Sequence, residues 1–304
     1  MEKSKEEQQQ EQTAEINLSN LSNEEALEKK DREFANTLKN KKASMPSKKR
    51  SNKFNFSDAE RIPLPSKGRF YTEDTDDPDV LDGFIQLSAM TAKEEEILST
   101  RKFVSQGIST RMILDSCIES DIEAKDILLF DSNYLLFYLR KISYGDEYTF
   151  NIRSTEDPMQ REFEHTLKIS EMTFEELPEE LEEPIVVKLP KSKYTVKCIL
   201  PRLYHTEEIN KRDMNRKRTD SSTDKRLIDK MVVTTTEILD DQEKKVPQKD
   251  WEEFFEALPG MDIATLRDET TFDTGVDEIS NIVCPYTERT MRTTIPIGPE
   301  FFRF

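Results

Sequence analysis

Two histidines, three cysteines, seven glycines and one tryptophan in 304 residues are a thin supply of the groups from which reactive centres are built. Nucleophilic catalysis needs a base beside the nucleophile, and only His165 and His205 offer an imidazole. His165 falls on the apolar side of a strand pattern and His205 follows a tyrosine near a turn, so both read as structural. Cys117, Cys198 and Cys284 stand far apart, and an odd, sparse set predicts reduced thiols in a chain made in a cytoplasm. No apolar run approaches the ~20 residues that cross a bilayer, so no membrane span is expected. The opening "MEKSKEEQQQEQ" has no apolar centre, which predicts no secretory leader. Acidic pairs such as Glu179/Glu180 and Asp240/Asp241 occur, but among 62 acidic residues pairs are expected and none is assigned a catalytic role.

Glycine is scarce, so its use in "RIPLPSKGRFY" (61–71) calls for a reason. Pro63 and Pro65 fix φ and push Ile62 and Leu64 out of the helical region. Ser66, Lys67 and Gly68 then form a turn in which Gly68 can take φ > 0, and Phe70 and Tyr71 add apolar weight. A phosphate loop is excluded, because the glycine spacing is absent and no strand–loop–helix context follows. Two roles remain open for Pro63, Leu64, Pro65, Ser66, Lys67, Gly68 and Tyr71. They can anchor the start of a folded body, or present a stiff segment to a neighbour at low ordering cost.

Charge is what the chain has in quantity: 35% of its residues are charged and the net charge is −17. Residues 1–56 hold 12 Lys/Arg and 10 Asp/Glu, which leaves 33 against 52, a net of −19, for residues 57–304. The body should repel nucleic acid and anionic membrane. Nothing amounts to an active site, so no cofactor and no small-molecule substrate is expected.

Residues 1–56 are rich in Gln, Glu, Lys and Asn, and read as a disordered charged arm. Their "KKASMPSKKRSNK" lacks interleaved aromatics for base stacking and reads as a solvated tail, an acidic partner surface being its other target. Thr91 and Glu94 form a capping box at the start of a helix with Ile97, Leu98 and Val104 as its apolar stripe. A second helix is expected near 110–119, burying Met112, Ile113 and Cys117. A third starts at an Asp131 N-cap, buries Leu135, Leu136, Leu139 and Ile142, and stops at Gly145.

The period then changes. "EYTFNI" and "EFEHTLKI" alternate as a hairpin across 153–161, and 186–189 with 194–200 form a second one around Pro190–Lys193. Residues 207–226 read as a surface helix end plus loop. Asp250 caps a helix carrying Trp251, Phe254, Phe255 and Leu258, ended by Pro259–Gly260, and a short helix over 262–268 follows. "EISNIV", "CPYTER" and "TMRTTIPI" make a terminal hairpin before the aromatic tail "FFRF". The expected fold class is α+β, divided into the arm (1–56), a mainly helical part (57–146), a β-hairpin region (147–200) and a C-terminal helical and hairpin part (201–304).

Three runs in this order, "IPLPSKGRFYTED", "IQLSAMTAKEEEILSTRKFVSQG" and "ILLFDSNYLLFYLRKISYGDEY", together with "WEEFFEALPGMDIATLRDE" and the terminal "VDEISNIVCPYTERTMRTTIPIGPEFFRF", resemble the baseplate (hub) protein family of T-even-like contractile-tailed bacteriophages. The resemblance implies a non-enzymatic virion protein of the tail baseplate, made late in the host cytoplasm. It would work through contacts with other baseplate and hub proteins, with a transient tail-assembly chaperone as the alternative; a tail-associated hydrolase, a third reading outside that implication, has no carboxylate to nominate for it. It also implies Cys-x-x-Cys pairs at two hairpin tips, as in a zinc knuckle. Here only Cys284 is present, Thr287 stands where its partner would be, and 151–157 offers no thiol. No metal is therefore expected; packing of Phe150, Phe163, Ile282 and Ile295 would hold the tips. The candidate structural or contact residues are the strap residues above together with Cys284, Phe301 and Phe302.

Overall fold

The computed structural model describes residues 58–302 apart from 101–102, 105–106, 219–223, 273–277 and 298. The described residues form one compact unit, and the arm expected over 1–56 lies outside them. The fold is α+β, with small antiparallel sheets set among helices. Strand β1 (Glu60–Pro63) pairs with β2 (Phe84–Leu87), Ile62 opposite Ile85, and the single-turn helix α1 (Pro78–Leu81) lies between them in the chain. Pro63 ends β1 because it has no N–H for the ladder, and the strap leaves from there.

Helix α2 (Ala92–Ser99) begins as its capping box dictates: the Glu94 carboxylate accepts from the Thr91 N–H and hydroxyl, both at 2.7 Å. Ile97 and Leu98 are buried, whereas Val104 is exposed and lies beyond the helix, so the expected stripe is one residue shorter. Helix α3 (Ser109–Cys117) buries Ile113, Leu114 and Cys117. Met112 is only half-buried, and Leu114 takes the core position expected of it.

Helix α4 (Leu129–Tyr144) starts two residues before Asp131, which is no cap. The Leu129 N–H donates to the Pro201 carbonyl at 2.7 Å, and the Asp131 carboxylate turns inward. Gly145, at φ +97°, stops the helix as expected. Strands β3 (Glu147–Arg153) and β4 (Glu162–Lys168) form the first hairpin, Phe150 opposite His165.

β5 (Ile185–Lys188), β6 (Thr195–Cys198) and β7 (Thr235–Leu239) make a three-stranded sheet with β6 central; the third strand has no counterpart in the sequence pattern. Its β5–β6 turn is held by buried Asp262, whose two oxygens accept the Lys191 and Ser192 N–H groups at 2.8 Å each. The charged stretch 207–226 begins as the expected helix end, the last twelve residues of a sixteen-residue helix, α5 (Leu203–Arg218); residues 219–223 of the expected loop lie outside the described residues. Pairs at i,i+4, Glu208–Arg212 and Asp213–Lys217, support it. Arg216 reaches buried Asp229 on α6 (Arg226–Thr234), giving the polar helix a tertiary anchor that composition hides.

Pro259–Gly260 both ends α7 (Trp251–Ala257) and opens α8 (Gly260–Thr270), which is longer than the expected 262–268. Asp250 precedes α7 without a side-chain capping bond. Strands β8 (Glu278–Val283) and β9 (Thr290–Thr294) form the terminal hairpin. Phe301 and Phe302 then fold back into the core, the Phe301 ring edge-on to Phe137 at 5.0 Å and Tyr148 at 4.9 Å. Among the described residues no helix is long and apolar enough to cross a membrane.

Candidate functional site

The strap converges on one carboxylate. The Ser66 N–H donates to Asp131 Oδ1 at 2.9 Å, and the Ser66 hydroxyl and the Tyr71 hydroxyl donate to Oδ2 at 2.5 and 2.7 Å. Tyr71 Oη in turn accepts the Leu128 N–H at 2.9 Å, tying strap to helix start. Ser66, Tyr71 and Asp131 have no solvent-exposed surface. Burial pushes the Asp131 carboxyl up to about 6, against the pull of its Ser66 and Tyr71 donors. Burial, then the Asp131 charge, raises Tyr71 well above its ordinary range. A serine, a tyrosine and a carboxylate in contact suggest chemistry. But both carboxylate oxygens and the Ser66 and Tyr71 hydroxyl protons are paired inside a fully buried core, and no imidazole joins them.

Around this clamp Leu64 and Gly68 are buried, Pro65 is half-buried, and Pro63 and Lys67 are exposed, Lys67 pairing with Glu176. The turn takes positive φ at Lys67 (57°), Gly68 (75°) and Phe70 (72°). Arg69 Nη2 donates to the carbonyls of Leu177 and Pro178 at 3.0 and 2.9 Å. Arg202 donates to the Phe70 carbonyl at 2.9 Å and pairs with Glu183 and Asp74. Burial alone would lower the Arg202 guanidinium, yet Glu183 and Asp74 hold it above its usual value. His205 Nδ1 accepts the Arg202 N–H at 2.9 Å, and the ring also bonds the Val233 backbone. Burial, with Arg202 next, depresses the imidazole to about 4, so it stays neutral. His165 packs edge-on to Phe150.

The two hairpin tips meet. Ser154 N–H to Arg161 O (3.0 Å) closes the first tip, and Cys284 N–H to Arg289 O (2.9 Å) closes the second. The Ser154 hydroxyl donates to Cys284 Sγ at 3.0 Å and accepts the Asp157 N–H at 3.1 Å. Asp157 Oδ2 accepts from Arg161 Nε at 2.6 Å, and the Arg161 guanidinium lies 4.0 Å from the Tyr286 ring centre. Tyr286 Oη closes the circuit on the Glu162 carbonyl at 2.8 Å. Thr287 Oγ1 is buried beside the thiol without a well-aligned acceptor. Burial pushes the Cys284 thiol up, but Ser154, Thr287 and the Tyr286 and Thr287 N–H groups outweigh it and bring it down to about 7.

The donors at these tips, Ser154, Asp157, Cys284 and Thr287, do not fit zinc. Two are neutral hydroxyls, and the carboxylate is already taken by Arg161 and by the Met159 and Arg161 N–H groups. Phe150, Ile282 and Ile295 are buried beneath the tips and Phe163 is half-buried, but polar stitches that packing arguments do not reveal join one tip to the other. Elemental analysis of the purified chain should therefore find no stoichiometric zinc. A thiol lowered in the folded state adds stability that is present above its unfolded pKa and lost as pH falls through about 7. The melting-temperature advantage of wild type over Cys284→Ala should accordingly widen from about pH 7 to about pH 9. A constant advantage would refute the hydrogen-bonded thiolate.

Asp131, Ser154, Asp157 and Arg202 escape sequence reasoning. Only Asp131 carries a signal, a carboxylate that directly follows the four apolar residues "ILLF", where an exposed cap is out of place. Among the described residues no group of three or more His, Cys, Asp or Glu side chains is placed to hold a metal ion.

A family model described as T4 bacteriophage base plate protein matches residues 60–303. No curated protein and no solved structure matches the chain.

Proposed function

Since the chain belongs to the T4 bacteriophage base plate protein family, we propose that it is a structural subunit of the baseplate hub in a contractile tail. It acts by contact with other baseplate proteins and carries out no reaction. What supports this most directly is that its chemically suggestive cluster is closed on itself: Ser66, Tyr71 and Asp131 are enclosed and mutually satisfied. The strap from Pro63 to Tyr71 holds the first strand pair to the helical part through that cluster. Its exposed face, Pro63 and Lys67, stays available to a neighbour.

Quantitative mass spectrometry of purified tails tests the reading. A stoichiometric amount of the chain in mature particles is expected. Its absence there, with presence in assembly intermediates, would instead identify a transient chaperone. A tail-associated hydrolytic activity abolished by replacing a single carboxylate of this chain would overturn the non-enzymatic reading.

A further inference from the structure

Lys230 on α6 stands between two apolar hollows that share Pro201 and Thr270. Leu227, Met231 and Leu266 line the first; Leu129, Phe130 and Phe272 line the second. The second has a volume of about 80 Å³, several times the roughly 10–15 Å³ that one water needs. Among the described residues Lys230 makes no ion pair, its Nζ reaching only the Thr271 hydroxyl at 3.5 Å. Burial lowers its ammonium below the usual lysine value, with no carboxylate acting against that. Among the described residues no Asp or Glu lines either hollow, and the other charged lining residue is Arg267, loosely paired with Asp268 at 3.6 Å. In a body with 52 acidic residues against 33 basic ones over 57–304, the described lining of this groove thus holds no carboxylate.

A half-buried cation without a counter-charge is unfavourable unless something supplies one. Apolar surface on both sides of it specifies the shape of what does. We infer that the groove receives an acidic side chain flanked by apolar ones on a neighbouring baseplate polypeptide, the carboxylate on Lys230 and the apolar side chains in the two hollows. The inference rests on the proposed contact role and adds the chemistry of one contact. Such a core of apolar anchors around a desolvated charge pair is where binding energy concentrates in protein interfaces.

The test is acetylation with acetic anhydride, read by mass spectrometry. It is applied to the isolated full chain and to complexes recovered from infected cells through a tag on this chain. Lys230 should label readily in isolation and at least tenfold less in the complex. Equal labelling in both overturns the assignment. So does protection already present in the isolated chain, which would mean that a second copy or another part of the chain fills the groove. Lys230→Met keeps the apolar stem and removes a poorly solvated charge, so it should melt no lower than wild type while recovering at least tenfold less partner; full recovery overturns the proposal. Lys230→Glu should be rescued by an Asp or Glu→Lys change in the co-purifying polypeptide, and rescue solely by changes within this chain counts against it. A tagged chain recovered without any partner sinks this contact and the structural role together, whereas partners recovered equally with every Lys230 variant sink this contact alone.

Discussion

Gly68→Val should be among the most damaging single substitutions in the body, with a loss of at least about 4 kcal/mol, the range reserved for severe core or backbone disruption. A Cβ at residue 68 would stand 2.4 Å from the Val80 carbonyl oxygen and 2.7 Å from both the Gly83 nitrogen and the Leu81 oxygen. All three are backbone atoms of α1 and the turn after it, so no rotamer change relieves the contact. The φ of +75° adds a further ~1–2 kcal/mol for any L side chain. Gly145→Ala separates the two causes: its φ of +97° and ψ of 174° lie in a region open essentially to glycine alone but nothing lies within 4 Å, so only the conformational cost of about 1–3 kcal/mol remains. Gly260→Ala, in open space at the start of α8, should be neutral or slightly stabilising. Denaturant midpoints of the three variants should fall in that order. Equal losses at 68 and 145 would mean that the strap does not press on α1.

How far sequence reasoning reaches depends on whether an element is specified locally. The capping box of α2, the glycine stop of α4 and the alternation of β3 and β4 are local signals, and each stands where they put it. The full length of α5 is hidden by its high mean polarity. Its stability rests on i,i+4 pairs and on ion pairs to other elements, Arg216 to Asp229, Asp213 to Arg226 and Glu207 to Arg111, and no window of composition shows those pairings. Strand β7 is equally hidden, because its partner β6 lies 37 residues earlier at Cys198–Thr235, a pairing decided by the fold. Of the site residues, the strap is visible through its prolines and glycine, while the carboxylate that holds it is visible only as a charge after an apolar run and not as the strap's partner. Asp131 sits at the start of a helix, where a capping role is the local expectation. Its inward turn follows from where Ser66 and Tyr71 come to rest, 65 and 60 residues before it. The hairpin tips are legible as tips, and the hydrogen bond between Ser154 and Cys284 across 130 residues is not.

Asp131→Ala is expected to cost about 4 kcal/mol, because it leaves three donors without acceptors in a dry core and each such group costs about 1–3 kcal/mol. The donors are the Ser66 N–H, the Ser66 hydroxyl and the Tyr71 hydroxyl. Asp131→Asn keeps one acceptor and gives the rotatable Ser66 hydroxyl an N–H to accept, so its loss at neutral pH should be far smaller. The pair of variants then separates shape from charge. With the folded carboxyl raised to about 6 against an unfolded value of ~3.9, the protonated form favours the folded state. Its contribution is complete below about pH 4 and is lost as pH rises through about 6. Wild type should therefore lose about 2–3 kcal/mol relative to Asp131→Asn between about pH 4 and pH 6 and hold level above, since raising a carboxyl pKa from about 4 to about 6 corresponds to about that free energy. Carboxylates held low elsewhere, such as Asp262 and Asp157, impose the opposite slope on both proteins and cancel in the difference. Chemical denaturation of the two at a series of pH values measures it. If wild type instead gains on Asp131→Asn as pH rises, the three donors stabilise the anion more than burial penalises it, and the strap is pinned by a buried charge instead of a shared proton.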